Sequence, residues 1–262
     1  MENNECPCLL EGIISVKAAL EGRKRNIEKI YIDLGKRKQR DRKIMSFVSY
    51  LKETGADFEF LPREDIDKMA SGFQGSGNTH GGVIAFAGER QLETVEQLLD
   101  GARTGDYFVY LDGVEDPYNF GYSVRTLYAM GVSGFILPEH NMMSVPGAVA
   151  RASAGASELC RIAVADKDDN VTADIIHNSG VGIVCSALAK DSVSIYDFKP
   201  QKPFVLFVGG EKRGISKDFM EKADSKVHIP YVNENVRYSL PAASVCAMYA
   251  SELYKYKTKN VN

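Results

Sequence analysis

Residues 204–216 read FVLFVGGEKRGIS, and this stretch decides the fold class. An uninterrupted apolar run, Phe204–Val208, leads directly into Gly209-Gly210-Glu211. A strand that is apolar on both faces is typical of a parallel sheet covered by helices on both sides. Two further apolar runs, at 107–111 and 181–185, have the same character. The sequence therefore predicts an α/β fold with a mainly parallel sheet in this part of the chain.

The glycines after this run form a candidate ligand loop, because ligands of open α/β sheets bind beyond the carboxyl ends of the strands. Glycine lets a ligand lie against backbone N–H and C=O groups, and the loop suits a nucleoside as well as a phosphate. It contains neither the GK[ST] of a P-loop nor the G-x-G-x-x-G dinucleotide fingerprint. A tight turn that merely needs glycine would have the same sequence.

A second cluster, DGVEDPYNFGYSVRTLYAMGV at 112–132, follows another of these apolar runs. Asp116-Pro117 and Asn119 have turn character, and a helix is predicted over Ser123–Met130. Arg125 falls near the beginning of that helix, where its guanidinium could hold a phosphate or a developing alkoxide. An ordinary loop with a surface arginine is the alternative interpretation of this cluster alone.

A third cluster, HIPYVNENVRYSLPAAS at 228–244, places a polar loop between a short strand and the C-terminal helix. Ser239 is a candidate N-cap for this helix, with Pro241 in its first turn. Taken alone, the cluster indicates no more than a well-capped helix. One apolar face is predicted for the helix, formed by Leu240, Ala243, Ala247, Ala250 and Tyr254.

The N-terminal part is predicted to be a small α/β domain of its own. Helical patterns at 13–20 and 44–51 alternate with short strands at 27–32, 58–61 and 83–87. The glycine-rich stretch at 72–82 is predicted to be a loop. We therefore expect a small domain over 1–88, a linker over 89–105 that contains a connecting helix at 92–99, and the parallel α/β domain over 106–262.

Charge is distributed unevenly along the chain, whose net charge is −3. Between Arg23 and Lys43 there are ten basic and three acidic residues, so this stretch carries +7 and the remainder −10. Such an asymmetry is typical of a face that contacts phosphates. A solvated helix and loop would have the same composition, so charge alone leaves both interpretations open.

Composition excludes several other classes of protein. The five cysteines are odd in number and have no disulfide-framework spacing, which favours a reducing cytoplasm. The four histidines show no ligand spacing, so no metal site is predicted. No nucleophile elbow or H-E-x-x-H motif supports a hydrolase. No apolar run reaches the roughly 18 residues of a membrane span, and no membrane partner is expected.

Taken together and in this order, the three clusters resemble the signature motifs of the SpoU/TrmH family of RNA ribose methyltransferases, in the SPOUT class. The matching positions are Asp116–Gly121 with Arg125, Val208–Glu211 with Gly214–Ser216, and Ile229–Pro230 with Ser239–Leu240. The segment Arg151–Ser157 resembles a family segment between the first two motifs. Residues 9–88 look like the small RNA-binding domain of one subgroup, and Thr79–Val83 resembles its end.

The resemblance implies a trefoil-knotted catalytic domain that binds S-adenosylmethionine, methylates a ribose 2′-hydroxyl of rRNA or tRNA, and forms a homodimer. It implies that Arg125, Asn119, Glu211 and Ser239 are catalytic. It implies that the donor is held by Val208, Gly209, Gly210, Glu211, Ile229, Ser239 and Leu240. The basic stretch then becomes a candidate RNA-binding surface, formed by Arg23, Lys24, Arg25, Lys36, Arg37, Lys38 and Arg40.

The expected role of Arg125 is electrostatic, because a guanidinium stays protonated near neutral pH and is a poor general base. It would stabilise the developing alkoxide or hold the adjacent phosphate. Glu211 would help to position it, and Ser239 would lie beside it.

The third motif departs from the family pattern. Pro241 stands where the family has Asn, and Ala243 where it has a second Ser, while Tyr122 and Ser123 replace small or aliphatic residues of the first motif. Proline has neither a polar side chain nor an N–H group. A catalytically weakened or inactive homologue that still binds donor or RNA is therefore the main alternative. A small-molecule-binding α/β protein, in which the basic stretch has no role, is a further one.

Overall fold

The computed structural model of the protein describes residues 8–73, 79–139, 146–210, 214–233 and 240–259. The chain forms two compact units. The first comprises Met1–Gln91 and Val145–Leu159, and the second comprises Leu92–Ser144 and Cys160–Asn262.

The first unit contains a four-stranded sheet with helices packed on it. Its elements before residue 91 are β1 (Cys8–Glu11), α1 (Gly12–Gly22), β2 (Ile27–Asp33), α2 (Leu34–Lys38), α3 (Arg42–Thr54), β3 (Phe58–Leu61), α4 (Arg63–Ser71) and β4 (Val83–Ala87). The strand order is β1-β4-β2-β3, with β2 and β3 parallel and the other pairs antiparallel. The predicted helices and strands of this region are confirmed.

Helix α3 shows why these elements form. Its apolar residues recur at helical spacing, and Ile44, Phe47 and Leu51 are buried against the sheet. The Asp41 carboxylate caps the helix by accepting hydrogen bonds from two backbone N–H groups. Gly55, with φ of 70°, ends it in the left-handed conformation that glycine adopts without strain.

The remaining elements follow in chain order. They are β5 (Glu93–Thr94), α5 (Val95–Leu99), β6 (Tyr107–Asp112), α6 (Pro117–Ala129), β7 (Gly134–Leu137), α7 (Pro146–Ala152), α8 (Ala156–Leu159), β8 (Ile162–Val164), α9 (Asp169–Asn178), β9 (Gly182–Ser186), β10 (Val193–Ser194), β11 (Phe204–Gly209), α10 (Lys217–Glu221), β12 (Ser225–His228) and α11 (Ala242–Lys259). None of the helices in the described part of the chain has the length and apolarity that a membrane span requires.

The second unit is built on an eight-stranded sheet in the order β10-β12-β9-β11-β6-β7-β8-β5. Every one of its pairings is parallel. The centre is apolar: Tyr110 and Phe207, on neighbouring strands, stack with ring centroids 4.6 Å apart. The predicted α/β class with a mainly parallel sheet is confirmed, whereas the knot that the resemblance implies stays a prediction.

The helix expected within the linker is present as α5, preceded by β5, which pairs with β8. The α5 residues Val95, Leu98 and Leu99 are buried in the core of the second unit. These three apolar residues at i, i+3 and i+4 form one helix face that the sheet covers. The second unit therefore begins at Leu92.

The segment that contains α7 and α8 packs with the first unit, although it lies within the range predicted as one C-terminal domain. A Cβ atom on Gly147 would overlap the carbonyl oxygen of Leu9, so the helix backbone lies directly against β1. The Gly22 backbone of α1 lies equally close to the carbonyl of Glu158. Both contacts join residues that are far apart in the sequence, so no local sequence pattern predicts them.

The apolar face predicted for the C-terminal helix was wrong. The buried residues of α11 are Ala242, Cys246, Tyr249, Ala250 and Leu253, so Ala250 is the only member of the predicted face among them. Alanine and tyrosine occur all round this helix, and packing against α6 rather than composition selects the covered face. The helix also begins after Pro241, whose carbonyl accepts from the N–H groups of Ser244 and Val245.

Candidate active site

A cavity of about 200 Å³ lies at the carboxyl ends of the central strands of the second unit. Strands β6 and β11 pair in parallel with Gly209 opposite Asp112, so the loops that follow them begin side by side. Open α/β sheets bind ligands at this edge. The lining residues are Gly113, Val114, Glu115, Asp116, Asn119, Gly210 and Ala242.

The glycines of these two loops are required by backbone packing. A Cβ atom on Gly210 would overlap the carbonyl oxygen of Gly113, and one on Gly209 would overlap the backbone of Gly214. The Gly214 N–H donates to the carbonyl of Gly210 at 3.0 Å. The turn therefore needs glycine for its own conformation, and the same packing leaves bare backbone facing the cavity.

Helix α6 begins earlier than predicted, at Pro117 rather than at Ser123. The Asp116 carboxylate accepts from the N–H of Asn119 at 2.7 Å and caps the helix, and Pro117 occupies its first position. The residues interpreted as a turn are therefore the helix N-terminus. This places Asn119 at the cavity wall, while Arg125 lies further along the helix and is exposed.

Two of the predicted site residues, Asn119 and Gly210, line the cavity. Val208 and Ile229 are buried, and Gly209 and Leu240 are half-buried. Glu211 and Ser239 lie outside the described residues. The sequence analysis included Gly113, Val114, Glu115 and Asp116 in a candidate cluster but gave them no place in the predicted site, and it did not include Ala242. A signal for the first four existed, since DGVED directly follows a predicted strand at its ligand-binding end.

Two buried cysteines of this unit, Cys185 and Cys246, are poor candidates for a nucleophile. Burial raises the pKa of Cys185 and of Cys246 to about 12. Both side chains therefore stay protonated near neutral pH, and a thiol reacts as the thiolate.

The candidate RNA-binding residues of the first unit differ in their surroundings. Arg23, Arg37, Lys38 and Arg40 are exposed, and Lys24 and Lys36 are half-buried. The guanidinium of Arg37 lies over the ring of Phe60, 4.2 Å from its centroid.

The predicted RNA-binding role of Arg25 is wrong. Its Nε donates to the Glu158 carboxylate at 2.8 Å and its Nη1 to the carbonyl of Gly88 at 3.1 Å, and both charged side chains are buried. A guanidinium held in this way is not available to an RNA phosphate. The composition of the basic stretch could not reveal a partner 133 positions away.

An all-parallel sheet with a cavity beyond its carboxyl ends defines an α/β protein that binds a small ligand at its strand ends. Residues 106–249 match the SpoU rRNA Methylase family, and residues 9–92 match the RNA 2'-O ribose methyltransferase substrate binding family. The chain belongs to the SpoU rRNA methylase family.

Relatives align over nearly the whole chain. It is 28% identical over 246 residues to the 23S rRNA (guanosine-2'-O-)-methyltransferase RlmB of Ralstonia nicotianae, covering 92% of this chain and 94% of the relative. It is 25% identical to RlmB of Bordetella pertussis, covering 93% and 96%. The AdoMet-bound rRNA methyltransferase of Sinorhizobium meliloti has the same fold, with a TM-score of 0.75, 23% identity and coverage of 95% and 87%.

Proposed function

We propose that this protein transfers a methyl group from S-adenosylmethionine to a ribose 2′-hydroxyl of RNA. One observation carries the proposal: a SpoU methylase region and an RNA 2'-O ribose methyltransferase substrate-binding region occur in one chain. The names of the relatives give either 23S rRNA or, more broadly, tRNA/rRNA as the substrate, and rRNA or tRNA is accordingly the substrate class that we propose here.

The described part of the cavity fits such a donor. Gly113 and Gly210 present backbone without side chains, which suits the flat adenosine part. Glu115 and Asp116 are carboxylates at the cavity wall, and opposite charge favours a cationic donor. The donor, when bound, supplies an electrophilic methyl group. Val208, Gly209, Ile229 and Leu240, with Glu211 and Ser239, complete the proposed donor-binding set.

The proposed chemical role of the protein is to position and stabilise the attacking oxygen. Asn119 organises the cavity wall from the first turn of α6. Arg125, on the same helix, stabilises the developing alkoxide or holds the adjacent phosphate, with Glu211 positioning it and Ser239 beside it. Holding the 2′-oxygen in line with the methyl group contributes much of the rate.

RNA is captured, in this proposal, by the exposed and half-buried cations of the first unit. These are Arg23, Lys24, Lys36, Arg37, Lys38 and Arg40. The proposed location is the cytoplasm, because Cys8, Cys185 and Cys246 are buried thiols that form no disulfide.

A homodimer is part of the proposal. Helices α6 and α11 pack together and present Tyr122 and Tyr254, whose exposed fractions are 49% and 50%. Large aromatic side chains at this exposure favour a protein interface. A second copy of the chain is the proposed occupant, and sedimentation of Tyr254→Glu against wild type tests it.

The second candidate function is donor or RNA binding without turnover. Pro241 directly precedes Ala242, which lines the cavity, so the departure from the family motif lies at the site itself. Proline there can offer no side-chain hydrogen bond to substrate or to Arg125.

The deciding experiment is transfer of a labelled methyl group to total RNA by wild type, Arg125→Ala and the control Arg103→Ala, an exposed arginine of the same unit. We expect label at a ribose 2′-oxygen for wild type and control, with a loss of about 10²–10³ in rate for Arg125→Ala. Donor binding by calorimetry without any label would instead select the second candidate.

A further inference from the structure

The loop at 79–82 is hydrogen-bonded to the basic helix α2. The N–H of Asp33 donates to the carbonyl of Gly82 at 2.8 Å. The Asp33 carboxylate caps α2 by accepting from the N–H groups of Gly35 at 2.8 Å and Lys36 at 3.3 Å. The Lys36 Nζ returns to the loop and donates to the carbonyl of Gly81 at 2.7 Å. The loop and the helix therefore form one hydrogen-bonded assembly.

His80 anchors this loop from inside the first unit. Its side chain is fully buried, and its Nδ1 accepts from the N–H of Gly82 at 3.2 Å. Because Nδ1 is an acceptor, the ring proton lies on Nε2, which donates to the Asp67 carboxylate at 2.8 Å. The same Asp67 oxygen accepts from the Nε of Arg63 at 2.8 Å. Asp67 on α4 is thus joined to α2 through His80, Gly82 and Asp33.

Helix α2 contributes no buried side chain to the core of the first unit. The helix has five residues, and none of them is buried. Isolated helices of this length are unstable in water, because the cost of nucleation exceeds the gain from one or two turns. Its position therefore depends on the polar contacts from Asp33 and the loop, together with the contact between Arg37 and the Phe60 ring.

We propose that Asp67 and His80 are positioning residues for RNA binding, which hold α2 so that Arg37, Lys38 and Arg40 face the phosphates together. The inference rests on the proposed function. Cations fixed before binding lose less conformational freedom on contact with RNA, so preorganisation raises affinity. Neither Asp67 nor His80 touches the RNA in this proposal.

The direction in which Asp67→Ala changes RNA affinity distinguishes a positioning role from a purely electrostatic one. Removing the Asp67 carboxylate makes the protein more positive, which by itself strengthens RNA binding. Loss of positioning weakens it. Asp65 is a matched control, because it lies on the same helix and its side chain is 47% exposed, against 41% for Asp67. Within the described residues, its carboxylate forms an ion pair with Lys68 and none with α2 or the loop. Asp67→Ala leaves the buried Nε2–H of His80 without its carboxylate, which lowers the free energy of unfolding, so urea unfolding of each variant first confirms that the chain is folded.

The experiment uses the full chain and an unmodified 23S rRNA transcript as probe. Filter binding and steady-state methylation are compared for Asp67→Ala, Asp65→Ala and His80→Gln, and for Asp67→Ala combined with Lys38→Gln and Arg40→Gln. We expect Asp67→Ala to raise Kd and the KM for RNA roughly fivefold to tenfold, with kcat at saturating RNA and the KM for donor unchanged. Asp65→Ala should bind as tightly as wild type or more tightly, and His80→Gln, which keeps a donor toward Asp67, should fall between the two aspartate variants.

The combined variant tests the route of the effect. Relative to the double variant Lys38→Gln with Arg40→Gln, the further addition of Asp67→Ala should cause a clearly smaller loss than it causes in wild type, because two of the three cations that it positions are gone. The inference is overturned if Asp67→Ala and Asp65→Ala lower the Kd for RNA equally. It is also overturned if Asp67→Ala raises the Kd in the combined variant by as much as it does in wild type. Either result leaves the proposed function standing. A wild-type chain that neither binds nor methylates the transcript or total RNA overturns both.

Discussion

The two units bury different kinds of residue. All the charged side chains that are buried in the described part of the chain belong to the first unit: Glu11, Arg25, Asp33, Arg90 and Glu158. The second unit buries Ser123 and Thr172 as its only polar residues in the described ranges, and otherwise aliphatic, aromatic and cysteine side chains. The parallel sheet is therefore stabilised by apolar area, whereas the first unit also depends on charge pairing.

The charge pairs of the first unit join the inserted helices to the N-terminal elements. Arg25 and Arg90 approach Glu158 to 2.8 and 4.0 Å, and Arg151 contacts Glu11. A buried ion pair stabilises little relative to a well-packed apolar pair, but losing one partner leaves an uncompensated charge. The pairs therefore make the first unit the more sensitive of the two to single polar substitutions.

The largest expected effect in this comparison comes from Glu158→Ala. It leaves Arg25 buried beside Arg90 without the carboxylate, and should lower the free energy of unfolding by about 3–5 kcal/mol. Arg161→Ala is the control in the second unit, where Arg161 pairs with Glu93 but keeps 42% of its side chain exposed, and it should cost within about 1 kcal/mol. Urea unfolding measures both. Similar losses for the two variants would break the contrast between the units.

A smaller effect is expected from removing one methylene in each core. Ile183→Val in the second unit and Ile32→Val in the first both change fully buried residues. Each should cost about 0.5–1.5 kcal/mol, because the apolar cores are alike in packing. Urea unfolding measures both losses and shows whether the two apolar cores differ. A cost several times greater for Ile32→Val would attribute the sensitivity of the first unit to apolar packing instead of charge.

The smallest effect concerns the ion pair between Asp106 and Lys257 in the second unit, whose side chains are 25% and 26% exposed. Burial raises the pKa of Asp106, but hydrogen bonds from the Lys257 ammonium, the Arg103 N–H and the Ser133 hydroxyl outweigh it and hold the pKa below its ordinary value. A carboxyl group with a lowered pKa stabilises the fold above its unfolded pKa of about 3.9, and this contribution is lost as the pH falls through the folded value. Lys257→Met should therefore lower the free energy of unfolding by less than about 1 kcal/mol at pH 7, and by still less below about pH 4.

The control for this pH dependence is the same substitution in an Asp106→Asn background, where the cost of Lys257→Met should not change with pH. Thermal unfolding between pH 3 and pH 7 gives both series. A cost that stays constant in the presence of Asp106 would contradict the pairing.

Local patterns predicted much of the second unit and part of its site. The strands at 107–111, 181–185 and 204–208 could be predicted because a strand buried on both faces must be apolar throughout. The loops that contain Asn119 and Gly210 were expected at the ligand-binding edge because they follow such strands, and the family resemblance singled out the two residues, which line the cavity. The start of α6 was missed because Asp-Pro begins helices as well as turns. The covered face of α11 was missed because its composition is apolar on more than one side.

The sequence by itself determined the α/β class, the parallel sheet and the family, because these depend on periodicity and on motifs whose residues are close together in the chain. Only the tertiary structure decided that Arg25 pairs with Glu158, that residues 145–159 pack with the N-terminal unit, and that His80 connects α4 to α2. Each of these depends on a contact between distant residues. A basic residue has the same local sequence whether its partner is an RNA phosphate or a buried carboxylate, and only the folded chain distinguishes the two.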